Sequence, residues 1–472
     1  MYAIYLIAAN TLIRTRMLRD LINEGPDKTW IDYASATTWW PGRVRVRGLR
    51  IRDRDSVSEW MISLDEGRAS ISLAGLLQRR FHPTWIRGSG FSLRVRSRLL
   101  PEEATPARVE FIPPILGFPD PPMRNLAEVR PVRTGREWTV WLEDVAVEAG
   151  EIWVDDWKFE GEAEVKGSMI LDPRLRLEVF PSSLDARDGI LRLREKTVGT
   201  STTGRLAALI HPCDLRVVKG NAVFEFLTGN ARARVNVESV AFLEDLLDTL
   251  PRIRMQRGDG DAVAEVTLDR GSGHGSLDFS ARGIEVRTPD QIMEIEARGQ
   301  VQLFSLDLQN GTANFSGSFI DVRNAMVRKK DDDPRPWSGH LALASATVRR
   351  PKQLSLTSHV EVHARDARPL YSLLNLEIPR WAQRVLSLKG FTATADVTLG
   401  ASLVDVKSLD ATGKGGRIQA QYRKKGKSTT ALCLVEAGWF AIGVSVNEGK
   451  THLKWFRPRS WFRKEKAGSR AQ

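Results

Sequence analysis

From Trp39 onward, apolar and polar residues alternate with a period of two. Val44 and Val46, then Leu49 and Ile51, alternate with Arg43, Arg45, Arg47, Arg50 and Arg52. The phase switches at Gly48, as a bulge or tight bend would require. Trp60, Ile62 and Leu64, then Ile71 and Leu73, then Phe91, Leu93 and Val95 continue the pattern. Farther on it recurs at Leu175, Leu177 and Val179, at Leu191 and Leu193, at Phe224 and Phe226, and at Val235 and Val237. It returns at Val301 and Leu303, at Ala313, Phe315 and Phe319, at Val360 and Val362, and at Ala393, Ala395, Val397 and Leu399. Gly, Asn, Asp and Ser clusters separate the runs, as in a meandering antiparallel sheet. One face of each strand is apolar and the other carries Arg, Glu, Asp or Lys. The fold class expected is mainly β: a long, curved, antiparallel amphipathic sheet with a few short helices.

Helical signals are sparse. A short turn falls at Leu76–Leu77, an amphipathic segment runs from Val240 to Leu250, and two short pieces lie within Pro369–Leu388. The last two share a plan: a Leu-Leu pair (Leu246–Leu247, Leu373–Leu374), a proline, then an A-x-A-x-V-x-L strand. The strands are Ala262, Ala264, Val266, Leu268 and Ala393, Ala395, Val397, Leu399. This reads as a degenerate internal repeat. Eight of the 22 prolines fall between residues 101 and 131. Phe111, Ile112, Ile115, Leu116 and Phe118 interleave with them, which favours an ordered insert over a flexible linker. The organisation expected is an N-terminal helix over 1–37, a first β section over 38–100 and a proline-rich insert over 101–137. A central β section follows over 138–328 with a helix at 239–250, then a charged loop over 329–336. A C-terminal β section over 337–449 with helices at 369–388 leads to a basic, aromatic tail over 450–472.

Composition narrows the function classes. The chain has 472 residues, a net charge of +12 and 42% hydrophobic residues, too apolar for a disordered protein. No stretch of about 20 residues is continuously apolar, which excludes a bundle of membrane-spanning helices. Tyr2–Ile13 is apolar and is followed by Arg14, Arg16 and Arg19. It reads either as a helix packed on the body or as the distal half of a signal anchor. Cys213 and Cys433 are too few for a disulfide framework or a four-ligand zinc site, and read as free thiols or one distant bridge. His359 and His363 lie about 13 Å apart along one strand, too far to share an ion unaided. No G-x-S-x-G elbow, H-E-x-x-H pair or phosphate-binding loop occurs, so neither an enzyme nor a cofactor is expected. Thr429–Val446 is nearly uncharged, and its β-branched content and Gly438 read as two buried strands. Nucleic acid is not an expected partner, because the Arg residues are interspersed with acids and form no stacking platform.

So many one-sided strands leave an apolar surface that the few helices cannot cover. The solutions are a sealed sandwich, a closed barrel, or a curled sheet whose trough holds something apolar. With only five Tyr and a charged C-terminus, a transmembrane barrel fits poorly. The stretch Trp39–Arg98 resembles the opening of AsmA-like proteins of Gram-negative envelopes. It carries a Pro-Gly strand (Pro41–Gly42), a Gly-Leu bulge (Gly48–Leu49) and an L-L-x-R-R turn (Leu76–Arg80). The helix-then-strand repeats are similar to the later part of that family. The resemblance implies a repeating-β-groove fold, taco-shaped, related to TamB and to bridge-like lipid-transfer proteins. It also implies a periplasmic protein attached to the inner membrane by its N-terminus, which binds or conducts phospholipid acyl chains with envelope protein partners. The groove-lining residues expected are Val44, Val46, Ile62, Leu64, Leu93, Val95, Leu177, Phe226, Val237, Val266, Leu268, Leu303, Phe315, Val397 and Leu399. In the tail, Trp455, Phe456, Trp461 and Phe462, with Arg457, Arg459, Arg463 and Lys464, read either as a group suited to an anionic membrane surface or as aromatics that cap the sheet's open end beside a solvated tail. The rival reading is a structural or adhesive β-sandwich or solenoid with a sealed core and no ligand.

Overall fold

The computed structural model describes residues 2–15, 23, 30–54, 57–124, 138–172, 175–218, 220–246, 254–288, 291–329, 333–349, 355–369, 388–400, 403–426, 428–447 and 450–469. The chain is mainly β, with 25 strands among the described residues that pair almost throughout as antiparallel neighbours. It divides into two compact units, one of residues 1–236 with 267–270 and one of residues 237–266 with 271–472.

In the first unit the meander starts at strand Arg43–Arg54, which pairs with Ser58–Ile71, and that strand with Pro83–Ser97. Gly48 takes φ +60° between the pairs Arg47–Glu66 and Leu49–Leu64. Only glycine enters that region without steric cost. The turn of phase there keeps Val46 and Leu49 with the same apolar side, where Leu64 and Val46 both crowd the Cα of Gly67. Short strands Trp30–Asp32 and Ser35–Trp40 form the free edge beside Arg43–Arg54. An exposed edge invites pairing with another chain, and two asparagines occupy it. Asn10, on helix Tyr2–Arg14, donates to the Thr38 carbonyl at 2.8 Å and accepts from its N–H at 3.0 Å. Asn23 does the same at Ile31, at 3.0 and 2.9 Å. The Tyr33 hydroxyl donates to the Ile13 carbonyl at 2.6 Å, so this helix is tied to the edge along its length.

The next pairing departs from the meander. Pro83–Ser97 lies parallel to Thr139–Val154, and a parallel pair needs a crossover connection. The proline-rich insert is that crossover, described as far as Arg124; residues 125–137 lie outside the described residues. It runs across the polar face of the sheet. Its own Ile115, Pro113 and Pro122 are buried, and Leu99 N–H donates to the Pro122 carbonyl at 2.7 Å. Strands Trp157–Asp172, Arg176–Leu193 and Lys196–Cys213 then resume the antiparallel order.

In the second unit, strands Ser272–Arg287, Gln291–Asp307, Ser318–Lys329, Arg335–Arg349, Ser355–Asp366, Lys389–Gly400, Leu403–Lys414, Gly416–Lys425, Ser428–Ala437, Phe440–Asn447 and Lys450–Lys454 form one uninterrupted antiparallel series. The expected helix at 239–250 begins with a 3₁₀ turn over Val240–Phe242, capped by Ser239, and continues as Leu243–Leu246. Residues 247–250 and most of 369–388 lie outside the described residues. The expected charged loop at 329–336 is shorter, because the strands reach Lys329 and resume at Arg335.

Three expectations are corrected. Phe224 and Phe226 belong to a 3₁₀ helix, Gly220–Phe226, and not to a strand. Phe315 lies in the connection between Thr312–Asn314 and Ser318–Lys329, where its N–H donates to the Ala346 carbonyl at 2.7 Å. Both segments show period-two spacing over only two or three residues, too short to exclude a turn. The segment after residue 450 is no loose tail. It forms the edge strand Lys450–Lys454 and the helix Pro458–Ser469, whose Trp461 and Phe462 bury apolar surface against the sheet.

Candidate functional site

The apolar alternation assembles into rows that cross the strands. In the first unit one row runs Ile31, Ile51, Ile62, Leu93, Ile152, Phe159 and Leu191, each residue directly opposite the next. A second runs Ala36, Val46, Gly67, Gly88, Val147, Val165, Leu184 and Leu206. Val44 lies opposite Ala69, and Val95 opposite Val154, which meets Trp157. Leu177 sits between Leu171 and Cys213. Leu64 is buried under its neighbours, as is Val237 at the end of strand Leu227–Val237. Neither lines an open surface.

The second unit repeats the construction. One row passes through Phe279, Gly299, Ile320, Leu341, Val362, Ala393, Ala411, Ile418, Val435 and Ile442. Its two halves differ in cover. Ile320 is 40% exposed and Leu341 38%, whereas Ala411 and Ile442 are almost wholly buried. Ala367 and Leu388 pack onto Phe391, Ala393, Ala411 and Ile418, joined by a bond from the Ala367 N–H to the Leu388 carbonyl at 3.1 Å. The neighbouring row keeps part of its surface exposed, although Leu409 and Cys433 also pack against that cluster: Leu343, Val360, Ala395, Leu409, Ala420, Cys433, Val444 and Leu453, the last 46% exposed. At about 4.8 Å between strands, these eight residues span about 34 Å. Val397 and Leu399 extend the strip, with Leu399 opposite Leu356 and Val404 and 38% exposed. Leu303 lies opposite Gly275, onto whose Cα Val266 packs. Leu268 is half-buried farther along the same strand as Val266, Asp259–Asp269.

The reverse face is charged and paired with itself. In the first unit Arg94, Glu151, Lys158, Glu160 and Arg192 form a ladder, with successive contacts of 2.8, 3.3, 2.7 and 3.1 Å. Burial pushes the Glu151 carboxyl up, but the hydrogen bond from Arg94 and the Lys158 ammonium outweigh it and hold it below its ordinary value. In the second unit His340 pairs with Asp321 at 2.6 Å and Arg298 reaches the same carboxylate at 3.2 Å. The His340 hydrogen bond lowers the pKa of Asp321. His359 pairs with Asp396 at 2.7 Å, and His363 stacks near His340 rather than near His359. Among the described residues no group of three His, Cys, Asp or Glu could hold a metal ion. Cys213 and Cys433 are free thiols, and burial pushes Cys433 up to about 11, so it stays protonated at neutral pH.

The expected membrane-facing residues divide. Phe462 is only 3% exposed, Trp461 covers the Cα of Gly443, and Arg459 pairs with Glu436. These three fasten the terminal helix to strands Ser428–Ala437 and Phe440–Asn447. Arg463 and Lys464 point to solvent. Trp455 and Phe456 are exposed at 56% and 77%, with the Arg457 guanidinium 5.4 Å from the Phe456 ring. Sequence reasoning missed Trp439, which is 94% exposed at the turn of the terminal hairpin, formed by strands Ser428–Ala437 and Phe440–Asn447. Its position beside Gly438, the turn residue, was the available signal.

The chain matches no family model, no curated protein and no solved structure. Among the described residues no helix is long and apolar enough to cross a membrane.

Proposed function

We propose that this chain is an AsmA-like envelope protein that holds phospholipid acyl chains against its apolar strand rows and contributes to lipid transport or outer-membrane homeostasis. The observation that carries the reading is the half-exposed row from Leu343 to Leu453 beside the open half of the neighbouring row at Ile320 and Leu341. Apolar side chains repeated over eight strands, with no charged group among them, offer an acyl chain what water cannot. Each methylene moved out of water contributes about 0.8 kcal/mol. The strip of about 34 Å exceeds one acyl layer, about half of a hydrocarbon core of about 30 Å. No group within it is arranged for bond chemistry, so the role is passive shielding while the headgroup stays in water. The lipid partner, a periplasmic location and attachment to the inner membrane by the N-terminal segment belong to the same proposal, as do envelope partners.

Mild extraction followed by lipid mass spectrometry tests it. Wild-type protein should carry phospholipid. Leu341→Asp, at a half-exposed site whose loss leaves no sealed core behind, should carry several-fold less while keeping its circular dichroism spectrum. Lipid-free wild-type protein would favour the sealed structural scaffold instead.

A further inference from the structure

We infer that the terminal hairpin of the second unit is a docking surface for an anionic phospholipid bilayer. Three aromatic rings meet there and a fourth follows in the chain. Trp439 meets Phe440 edge-on at 6.2 Å between centroids, Phe440 meets Trp455 at 5.8 Å, and Phe456 follows Trp455 in the chain. Trp439, Trp455 and Phe456 are exposed at 94%, 56% and 77%. Large aromatics held in water at a hairpin tip add nothing to packing, whereas Trp and its like are favoured where an apolar surface meets lipid headgroups.

The charge around the rings identifies the occupant. Lys454, Arg457, Arg463 and Lys464 are exposed, Lys454 opposite Gly443 near the rings, whereas Lys450 lies at the far end of its strand opposite Asn447; from residue 450 to the end Glu465 is the sole acid against eight basic residues. The nearby Glu436 is already engaged by Arg459. A protein partner would be matched by shape and by acids of its own. Exposed rings with a surplus of cations fit a fluid, negatively charged interface. The placement also has a use. Phe440 shares a strand face with Ile442 and Val444, and Leu453 ends the half-exposed row, so the patch stands where the apolar strip ends. This deepens the lipid-binding reading and rests on it only for that purpose.

Vesicle flotation tests the inference on the full chain, with phosphatidylcholine alone and with phosphatidylcholine mixed with phosphatidylglycerol. Wild type should float with the anionic vesicles and its tryptophan emission should shift to the blue. Trp439→Ser combined with Phe456→Ser should weaken that binding roughly tenfold or more, and Lys454→Glu with Arg457→Glu should abolish the preference for anionic vesicles. Trp439 packs on so little that its single Ser variant must fold, and it should show part of the same loss. Both double variants should still carry co-purified lipid, which separates failure of docking from failure of the lipid-binding reading. Equal flotation of wild type and the aromatic variant, or of wild type on both vesicle types, overturns the inference.

Discussion

The polar faces of the two units treat the same kinds of side chain differently. In the first unit Arg96 and Glu59 sit opposite each other on adjacent strands, 2.8 Å apart, and each is 1% exposed. The crossover roofs them. Arg96 donates to the Pro113 and Pro119 carbonyls at 3.2 and 3.1 Å and pairs with Asp120, while Arg98 donates to the Met123 carbonyl at 3.0 Å. Phe118 lies over Arg52 and Arg54, and Phe111 over Arg194. In the second unit Arg298, Asp321 and His340 make a comparable cross-strand group in contact with water. The difference teaches what a strand's polar face is for. Left open, it is a solvated surface that keeps the sheet soluble; covered, its charges become hydrogen-bond anchors for a segment rich in proline, which lacks N–H donors and offers carbonyls.

Removing one charge from each group should break this symmetry. Glu59→Ala removes the buried carboxylate that faces Arg96 at 2.8 Å and Arg98 at 3.9 Å and should cost about 3–5 kcal/mol of stability in denaturant unfolding. It should also expose the crossover to protease near Phe111–Phe118. Mild acid should act next. Glu66, Glu151, Glu160 and Asp321 all have depressed pKa values, the first through its hydrogen bond to Arg45. A depressed folded pKa contributes stability above the unfolded value, and that contribution fades as pH falls through the folded one. Stability should therefore hold down to the ordinary carboxylate range near 4.5 and decline below it, as thermal unfolding across a pH series would show. The smallest effect is expected at Asp321→Asn, where Arg298 is 55% exposed. There the loss should stay under about 1 kcal/mol. A loss at Asp321 equal to that at Glu59 would refute the distinction between open and covered faces.

Much of the apolar architecture was legible in the sequence. Alternation over four or more residues placed Val44, Val46, Ile62, Leu93, Val397 and Leu399 on rows, because a strand's period is fixed by its pleat. The phase switch at Gly48 was legible for the same reason. Phe226 and Phe315 failed because their runs were short, and a 3₁₀ turn or a loop can place two residues at that spacing. The roof over Arg96 left no trace in its own strand, where Arg94, Arg96 and Arg98 look like any solvated edge. Strand direction is also absent from a hydrophobic pattern, so the parallel step and its crossover could not be read from periodicity. Burial of Phe462 depends on which surface the terminal helix chooses, a tertiary decision that residue type alone does not make.

On the proposed reading, lipid lies on one face of the strands and not on the other. Val360 and His359 are adjacent in the chain and point to opposite faces of strand Ser355–Asp366, Val360 into the half-exposed row and His359 toward Asp396. A photo-crosslinking residue placed at each position, irradiated in native membranes and read by mass spectrometry, addresses the claim directly. Phospholipid adducts at 360 and none at 359 are the result predicted. Equal labelling at both positions, or none at 360, would contradict the account.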